Sequence, residues 1–177
     1  IADGTGITTP DDLSLLVDPV VIYDDDHYFL GGALAEKLSR AGHTVTYVTS
    51  QPVVSAWTQM TDEQPFIMAV LADLGVDFRF SHVLQSVDRS SATFSTALSR
   101  EFAAIAAGSL VLVTGRVPID DLYTELVARN DVPPVTRIGD CLSPSHIADA
   151  IYSGHRFARE FDEPWPLPPL RRERPAP

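Results

Sequence analysis

The sequence predicts an α/β chain of the Rossmann-like, dinucleotide-binding kind, and three observations carry that reading. The short apolar run Val20-Val21-Ile22-Tyr23 is rich in β-branched residues, as a parallel strand buried on both faces must be. Gly31 to Ala41 follows with Leu34, Ala35, Leu38 and Ala41 at helical spacing, and Gly42 stands where a helix closes on a left-handed residue. Thr44 to Thr49 is a second β-rich run. Strand, helix and strand thus fit within about thirty residues, the span of one βαβ unit.

The remaining elements follow in order. Ala2 to Thr9 is turn chemistry with no periodic apolar face and reads as a loop. Thr61 to Leu74 reads as a helix with Pro65 near its first turn, where a missing amide costs little, and with Gly75 closing it. Asp77 to Val83 and Ala92 to Ser95 read as strands joined through the polar turn Asp88-Arg89-Ser90-Ser91. Arg100 to Ala107 fits helix and strand equally well. Ser109 to Thr114 is another buried strand, punctuated by Gly115. A short helix spans Asp120 to Arg129 with Asp120 as its cap, and after Pro133-Pro134 a strand runs from Val135 to Ile138. That strand ends in Gly139-Asp140. Ser143 to Phe161 places Ile147, Ala150, Ile151, Gly154, Phe157, Ala158 and Phe161 near one face of a long helix. The Pro-rich tail from Pro164 to Pro177 reads as an extended arm.

Composition narrows the function classes. The 177 residues carry a net charge of −11, which leaves nothing to offset repulsion from nucleic-acid phosphates. The basic cluster Arg171, Arg172 and Arg174 sits in the Pro-rich tail and reads as a solvated end. A single cysteine, Cys141, excludes an internal disulfide and any iron–sulfur or zinc cluster built on cysteines of this chain. One thiol in an acidic chain suits a reducing cytoplasm, and the apolar runs are too short to cross a bilayer. A start at Ile1 within turn-like sequence reads as part of a longer polypeptide.

Dinucleotide folds hold a pyrophosphate at a strand-to-helix turn, where glycines bring the backbone close and the helix N-terminus favours negative charge. Here that turn reads Tyr23-Asp24-Asp25-Asp26-His27-Tyr28-Phe29-Leu30-Gly31-Gly32. The topology suits a nucleotide and the chemistry opposes one. At about 5 Å and an effective dielectric of about 20, each carboxylate–phosphate pair costs on the order of 3 kcal/mol. The second strand ends in Val48-Thr49-Ser50, with neither an acid for a ribose 2′-hydroxyl nor an arginine for a 2′-phosphate. Two readings of the acidic turn stand. In one the carboxylates cap the helix while Tyr28 and Phe29 pack inward; in the other Asp24 to His27 form a docking or metal surface.

The stretch Val20 to Tyr28 with Gly31-Gly32, then Val54-Ser55-Ala56-Trp57-Thr58, resembles the family of trimethylamine, dimethylamine and histamine dehydrogenases, iron–sulfur flavoproteins that include 2,4-dienoyl-CoA reductase-like enzymes. Leu112 to Arg116, Ile138 to Leu142, Ile147 to Ala150 and Ser153 to Arg156 extend the resemblance. The family implies an N-terminal (β/α)8 barrel holding FMN and a four-iron cluster, followed by two domains of the glutathione-reductase type. On that mapping residues 1–19 are a linker or part of the FAD-like domain. Residues 20–132 are the NADPH-like domain, 133–163 the returning part of the FAD-like domain, and 164–177 the tail. Catalysis belongs to the barrel and none of it to residues of this chain.

The same resemblance implies that Gly139, Asp140 and Ser145 lie at the ribityl or pyrophosphate end of an ADP or FAD. A plain helix cap, to which Ser143 and Ser145 would both contribute, is the competing reading. Implied partners are the barrel of the same protein, an electron-transfer flavoprotein and a second subunit. His146, His155 and Arg156 read as surface or interdomain groups, and Cys141 as a small buried residue. Trp57 reads as loop packing, or as facing another domain.

Overall fold

The computed structural model describes residues 6–96 and 101–162; the Pro-rich tail lies outside them. The chain divides into two compact units, Ile1–Gly115 and Arg116–Pro177.

The first unit is built on a five-stranded parallel sheet. Its strands are β1 (Gly6–Thr8), β2 (Val20–Asp24), β3 (Val45–Thr49), β4 (Asp77–Arg79) and β8 (Ser109–Val113), in the order β1-β8-β2-β3-β4. A second, antiparallel sheet holds β5 (His82–Val87), β6 (Ser91–Thr96) and β7 (Phe102–Ala106). Helices α1 (Phe29–Arg40) and α2 (Gln64–Asp73) complete the unit.

Strand alternation divides the core in two. Val20 and Ile22 of β2 pack with Leu34, Leu38 and Leu71 of the helices. Val21 and Tyr23 point to the opposite face and pack with Ala92 and Phe94 of the antiparallel sheet. The parallel sheet is therefore covered on both sides, which is why β2 and β3 are buried at every position. Gly42 and Gly75 close α1 and α2 at positive φ, 96° and 74°.

Several expectations change. The segment read as a loop contains β1, which owes its strand to pairing with Ser109–Val111 and not to any pattern of its own. The single strand expected over Asp77 to Val83 is two strands in different sheets. Ser81, at φ 57°, breaks the chain between them. The ambiguous run near Ala107 resolves as β7. The second helix starts later than Thr61, because Ala56–Thr61 forms a 3-10 turn first.

In the second unit α3 spans Asp121–Val127 and α4 spans Ile147–Glu160. Asp120 precedes α3 but makes no side-chain cap bond; its carboxylate accepts from Arg137, whose guanidinium also lies 4.4 Å from the centre of the Tyr123 ring. The strand expected at Val135 to Ile138 is irregular. Among the described residues no strand pairs with it, and an extended segment without a ladder partner is not a strand.

Candidate functional site

Two places hold the residues singled out from the sequence: the turn between β2 and α1, and the segment leading into α4.

Asp24 ends β2, and its side chain is turned inward and fully buried. The amide N–H groups of Asp26 and His27 donate to its Oδ1 at 3.2 and 3.0 Å, and the Tyr47 hydroxyl donates to its Oδ2. Tyr47 in turn accepts the Ser55 amide at 3.2 Å. The amides of Asp25 and Asp26 also donate to the Val113 carbonyl at 2.8 and 3.2 Å. Every N–H from Asp25 to His27 is thus committed within the protein. The carbonyl of His27 accepts from Trp57 N–H at 2.8 Å, which closes a hydrogen-bonded ring from the turn through β3 and the Ser55 loop back to the turn.

The glycine that makes room for this arrangement is Gly31. A Cβ there would lie 2.6 Å from Asp24 Cγ. Burial pushes the Asp24 carboxyl above its ordinary range, against the pull of the hydrogen bonds from Tyr47 and the His27 amide. Burial, then the charge of Asp24, push the Tyr47 phenol up in the same way.

This geometry corrects the capping reading of the acidic turn and takes Asp24 out of the surface reading. The three aspartates do not act alike. Asp24 is an internal hydrogen-bond acceptor, Asp25 is exposed and Asp26 is partly buried, so two carboxylates and not three face solvent. None caps α1, whose N-cap is Tyr28 and whose first turn holds no acid. Phe29 does not pack inward; it is 52% exposed and meets Tyr28 edge-on. His27 takes a left-handed conformation, with Nδ1 3.4 Å from Thr49 Oγ1 and Nε2 3.6 Å from Asp25. Among the described residues no group of three or more His, Cys, Asp or Glu is placed to hold a metal ion.

In the second unit Gly139 adopts φ 63°, a conformation that favours glycine, and donates its N–H to Ser153 Oγ at 2.8 Å. Ser145 lies against Asp140, its N–H 3.4 Å from the carboxylate, and its hydroxyl donates to Asp149 at 2.7 Å. Gly139 and Ser145 share a concavity of about 250 Å³ with Leu142, Ser143, Asp149, Ala150 and Ser153. That is less than the roughly 300–1,000 Å³ of whole small-molecule sites, so these residues alone could embrace one part of a nucleotide.

The cap of α4 is neither serine. His146 takes the N-cap position and forms a reciprocal capping box with Asp149. Cys141 is exposed, not buried, because it lies on a 3-10 turn with its Sγ donating to the Ile138 carbonyl. His155 is exposed, and Arg156 pairs with Glu160. Trp57 is 58% exposed while its neighbour Ser55 is buried.

The site residue that sequence reasoning missed is Tyr47. Its signal was present: an aromatic ring with a polar tip, in a strand buried at every position, requires an acceptor nearby.

Residues 15–92 match the OYE-like second alpha/beta domain. Dimethylamine dehydrogenase of Hyphomicrobium sp. (strain x) is 32% identical over 87% of this chain, which spans 24% of that protein. The structure of histamine dehydrogenase from Rhizobium sp. 4-9 superposes with a TM-score of 0.89 at 36% identity, over 99% of this chain and 30% of that one. The 6-hydroxypseudooxynicotine amine oxidase of Pseudomonas geniculata N1 gives a TM-score of 0.77 at 32% identity, over 89% of this chain and 22% of that one. An HOCl-induced flavoprotein disulfide reductase from Escherichia coli shares the fold alone, with a TM-score of 0.60 at 18% identity over 88% of this chain and 38% of that one. The chain belongs to the family of the dimethylamine and histamine dehydrogenases.

Proposed function

We propose that the chain is the dinucleotide-fold region of a larger, amine-oxidising flavin and iron–sulfur oxidoreductase, and that its first unit takes no nucleotide. Similarity to two amine-oxidising relatives, each matched over only part of its length, supports the first half of this reading. The domain layout given above goes with it: an NADPH-like domain over 20–132 and a returning part of a glutathione-reductase-type FAD-like domain over 133–163. Likeness in fold to a flavoprotein disulfide reductase supports that type. No residue of α3 or α4 is buried, as befits part of a domain completed by other sequence. The only cysteine, Cys141, cannot supply a four-thiolate cluster; the family resemblance assigns FMN and the cluster to the barrel, and no step of the chemistry is assigned to this chain. ADP or FAD would meet Gly139, Asp140 and Ser145. No helix among the described residues is long and apolar enough to cross a membrane; the reducing cytoplasm is the compartment this reading requires.

The observation that carries the second half is Asp24, whose carboxylate takes the turn's amides. Calorimetric titration of NADH, NADPH, ADP and FAD into the chain, and into the full-length protein, tests it. NADH and NADPH are expected to bind the chain with a dissociation constant of about 1 mM or weaker, about 4 kcal/mol or less. ADP or FAD is expected to bind only the full-length protein, with affinity lost on changing Gly139 or Asp140. Micromolar NADH binding to the chain would overturn the reading.

An alternative reading, a docking module for an electron-transfer flavoprotein, has an observation of its own. Trp57 and Met60, one 3-10 turn apart and therefore on one side, are 58% and 84% exposed. Asp62 and Glu63 follow after Thr61, both exposed. On this reading, reversing Asp62 and Glu63 to lysine in the full-length protein slows electron transfer to its acceptor, most at low salt. An unchanged rate would remove it.

A further inference from the structure

We propose that Asp24, Tyr47 and Ser55 form a buried hydrogen-bond relay with two directions, which reverses on taking up one proton and so sets how firmly the Trp57 turn is held. Two tethers fix that turn, and both end on Asp24. The Trp57 N–H donates to the His27 carbonyl at 2.8 Å, and the His27 N–H in turn donates to Asp24 Oδ1. The Ser55 N–H donates to the Tyr47 oxygen, and the Tyr47 hydroxyl donates to Asp24 Oδ2. Ser55 stands in a left-handed conformation, φ 47°, which costs a serine energy and needs such a hold.

A leftover hydroxyl defines the second direction. Ser55 is 1% exposed and its Oγ has no hydrogen-bond partner among the described residues, yet it lies near enough to act on the Tyr47 phenol. Asp24 Oδ1 is filled by two amides, so an added proton can reside only on Oδ2, facing Tyr47. The new Oδ2–H then donates to the Tyr47 oxygen, and the Tyr47 hydrogen rotates toward Ser55 Oγ. A tyrosine oxygen has two lone pairs, so the Ser55 amide is still accepted. One O–H bond forms with a proton from solvent, and no other covalent bond changes.

The two directions hold the turn unequally. An ionised carboxylate polarises the Tyr47 O–H and makes its oxygen a stronger acceptor for the Ser55 amide. Protonation removes that charge and divides the oxygen between two donors, so the turn is held less tightly in acid. Trp57 and Met60 are exposed on it, and the proton therefore governs how rigidly they are presented. The titratable groups around Asp24 are Asp26 and His27 on its own turn, with Asp25 beyond His27, and Tyr47 on β3. Asp26 favours the proton and His27 opposes it. Helix α1 brings Gly31, β8 brings Val113 and the Trp57 turn brings Ser55, none of which ionises in this range. Burial outweighs the opposing hydrogen bonds and raises the Asp24 carboxyl, which moves the reversal above the ordinary carboxylate range.

Tryptophan fluorescence of the 177-residue chain, followed over the pH range in which its circular dichroism is constant, tests the proposal. The sequence has two tryptophans, Trp57 and Trp165. In a Trp165→Phe, His27→Asn background only Trp57 emits, and the imidazole of the acidic turn is gone. Emission is expected to follow a one-proton transition centred above the ordinary carboxylate range. Asp24→Asn should abolish it and leave the acid-form emission at every pH, since its amide NH2 donates to Tyr47 as the protonated carboxyl does. Ser55→Ala removes the acceptor of the reversed relay and should lower the midpoint by about half to one pH unit. Tyr47→Phe should raise it. Should that variant fail to fold, the other two still decide. Emission that ignores pH would overturn the proposal, as would a transition that survives Asp24→Asn or a midpoint that Ser55→Ala leaves in place or raises.

Discussion

Replacing Gly31 with alanine is expected to destabilise the first unit by about 2–3 kcal/mol, the upper part of the range for forcing a methyl into a packed interior. The new Cβ would lie 2.6 Å from Asp24 Cγ, 2.8 Å from its Oδ2 and 3.0 Å from its Cβ. Asp24 cannot swing aside without leaving the amides of Asp26 and His27 and the Tyr47 hydroxyl. In a helix, alanine is otherwise better than glycine by about 1 kcal/mol, so the expected loss runs against propensity and is what the clash leaves after that gain. Asp24→Gly supplies the control. In that background the clash is gone, and adding Gly31→Ala should be neutral or slightly stabilising. Urea unfolding of the four proteins gives the coupling directly. Additive effects would mean that Gly31 and Asp24 do not meet as described.

That pairing also marks how far the sequence could be read. The strands β2, β3 and β8 and the helix α1 follow from local pattern, because each is buried by its own apolar period. β1 does not, since Gly6-Ile7-Thr8 is a strand only by lying beside Ser109–Val111. The break at Ser81 between β4 and β5 is a backbone event, with no marker such as glycine to announce it. At the site, the altered turn was legible as a run of acids where glycines belong. What those acids do was not. Three adjacent aspartates look equivalent in sequence, and only the approach of Gly31 and Tyr47 from α1 and β3 distinguishes Asp24 from its neighbours. The segment Gly139–Ser145 was expected to close a strand and begin a helix at Ser143, with a serine cap as one of two readings; it forms a 3-10 turn instead, and α4 starts at Ile147. The chain uses His146 with Asp149, a pair three residues apart that satisfies both backbone ends at once.

Tyr47→Phe is expected to cost about 2–4 kcal/mol, more than its lost oxygen suggests, because it strands two buried partners. The Ser55 amide loses its acceptor and Asp24 Oδ2 loses its donor, while the ring still fills its place in the core. The cost should also depend on pH, and the sign follows from Asp24. Its folded pKa is raised above the ordinary 3.8, chiefly by burial. The folded state therefore holds this proton more tightly than the unfolded state does. Asp24's contribution to stability is full below the unfolded value and is lost as pH rises through the raised folded one. The Tyr47 hydrogen bond opposes that rise, so removing it lifts the folded pKa further. The difference in stability between wild type and variant should accordingly be smallest in acid, where Asp24 is protonated in both. It should widen as pH climbs through the window above the ordinary carboxylate range. Urea unfolding of both proteins at successive pH values across that window reads the effect. A gap that stays constant with pH would show that the hydroxyl supports the Ser55 loop but does not hold an ionising Asp24.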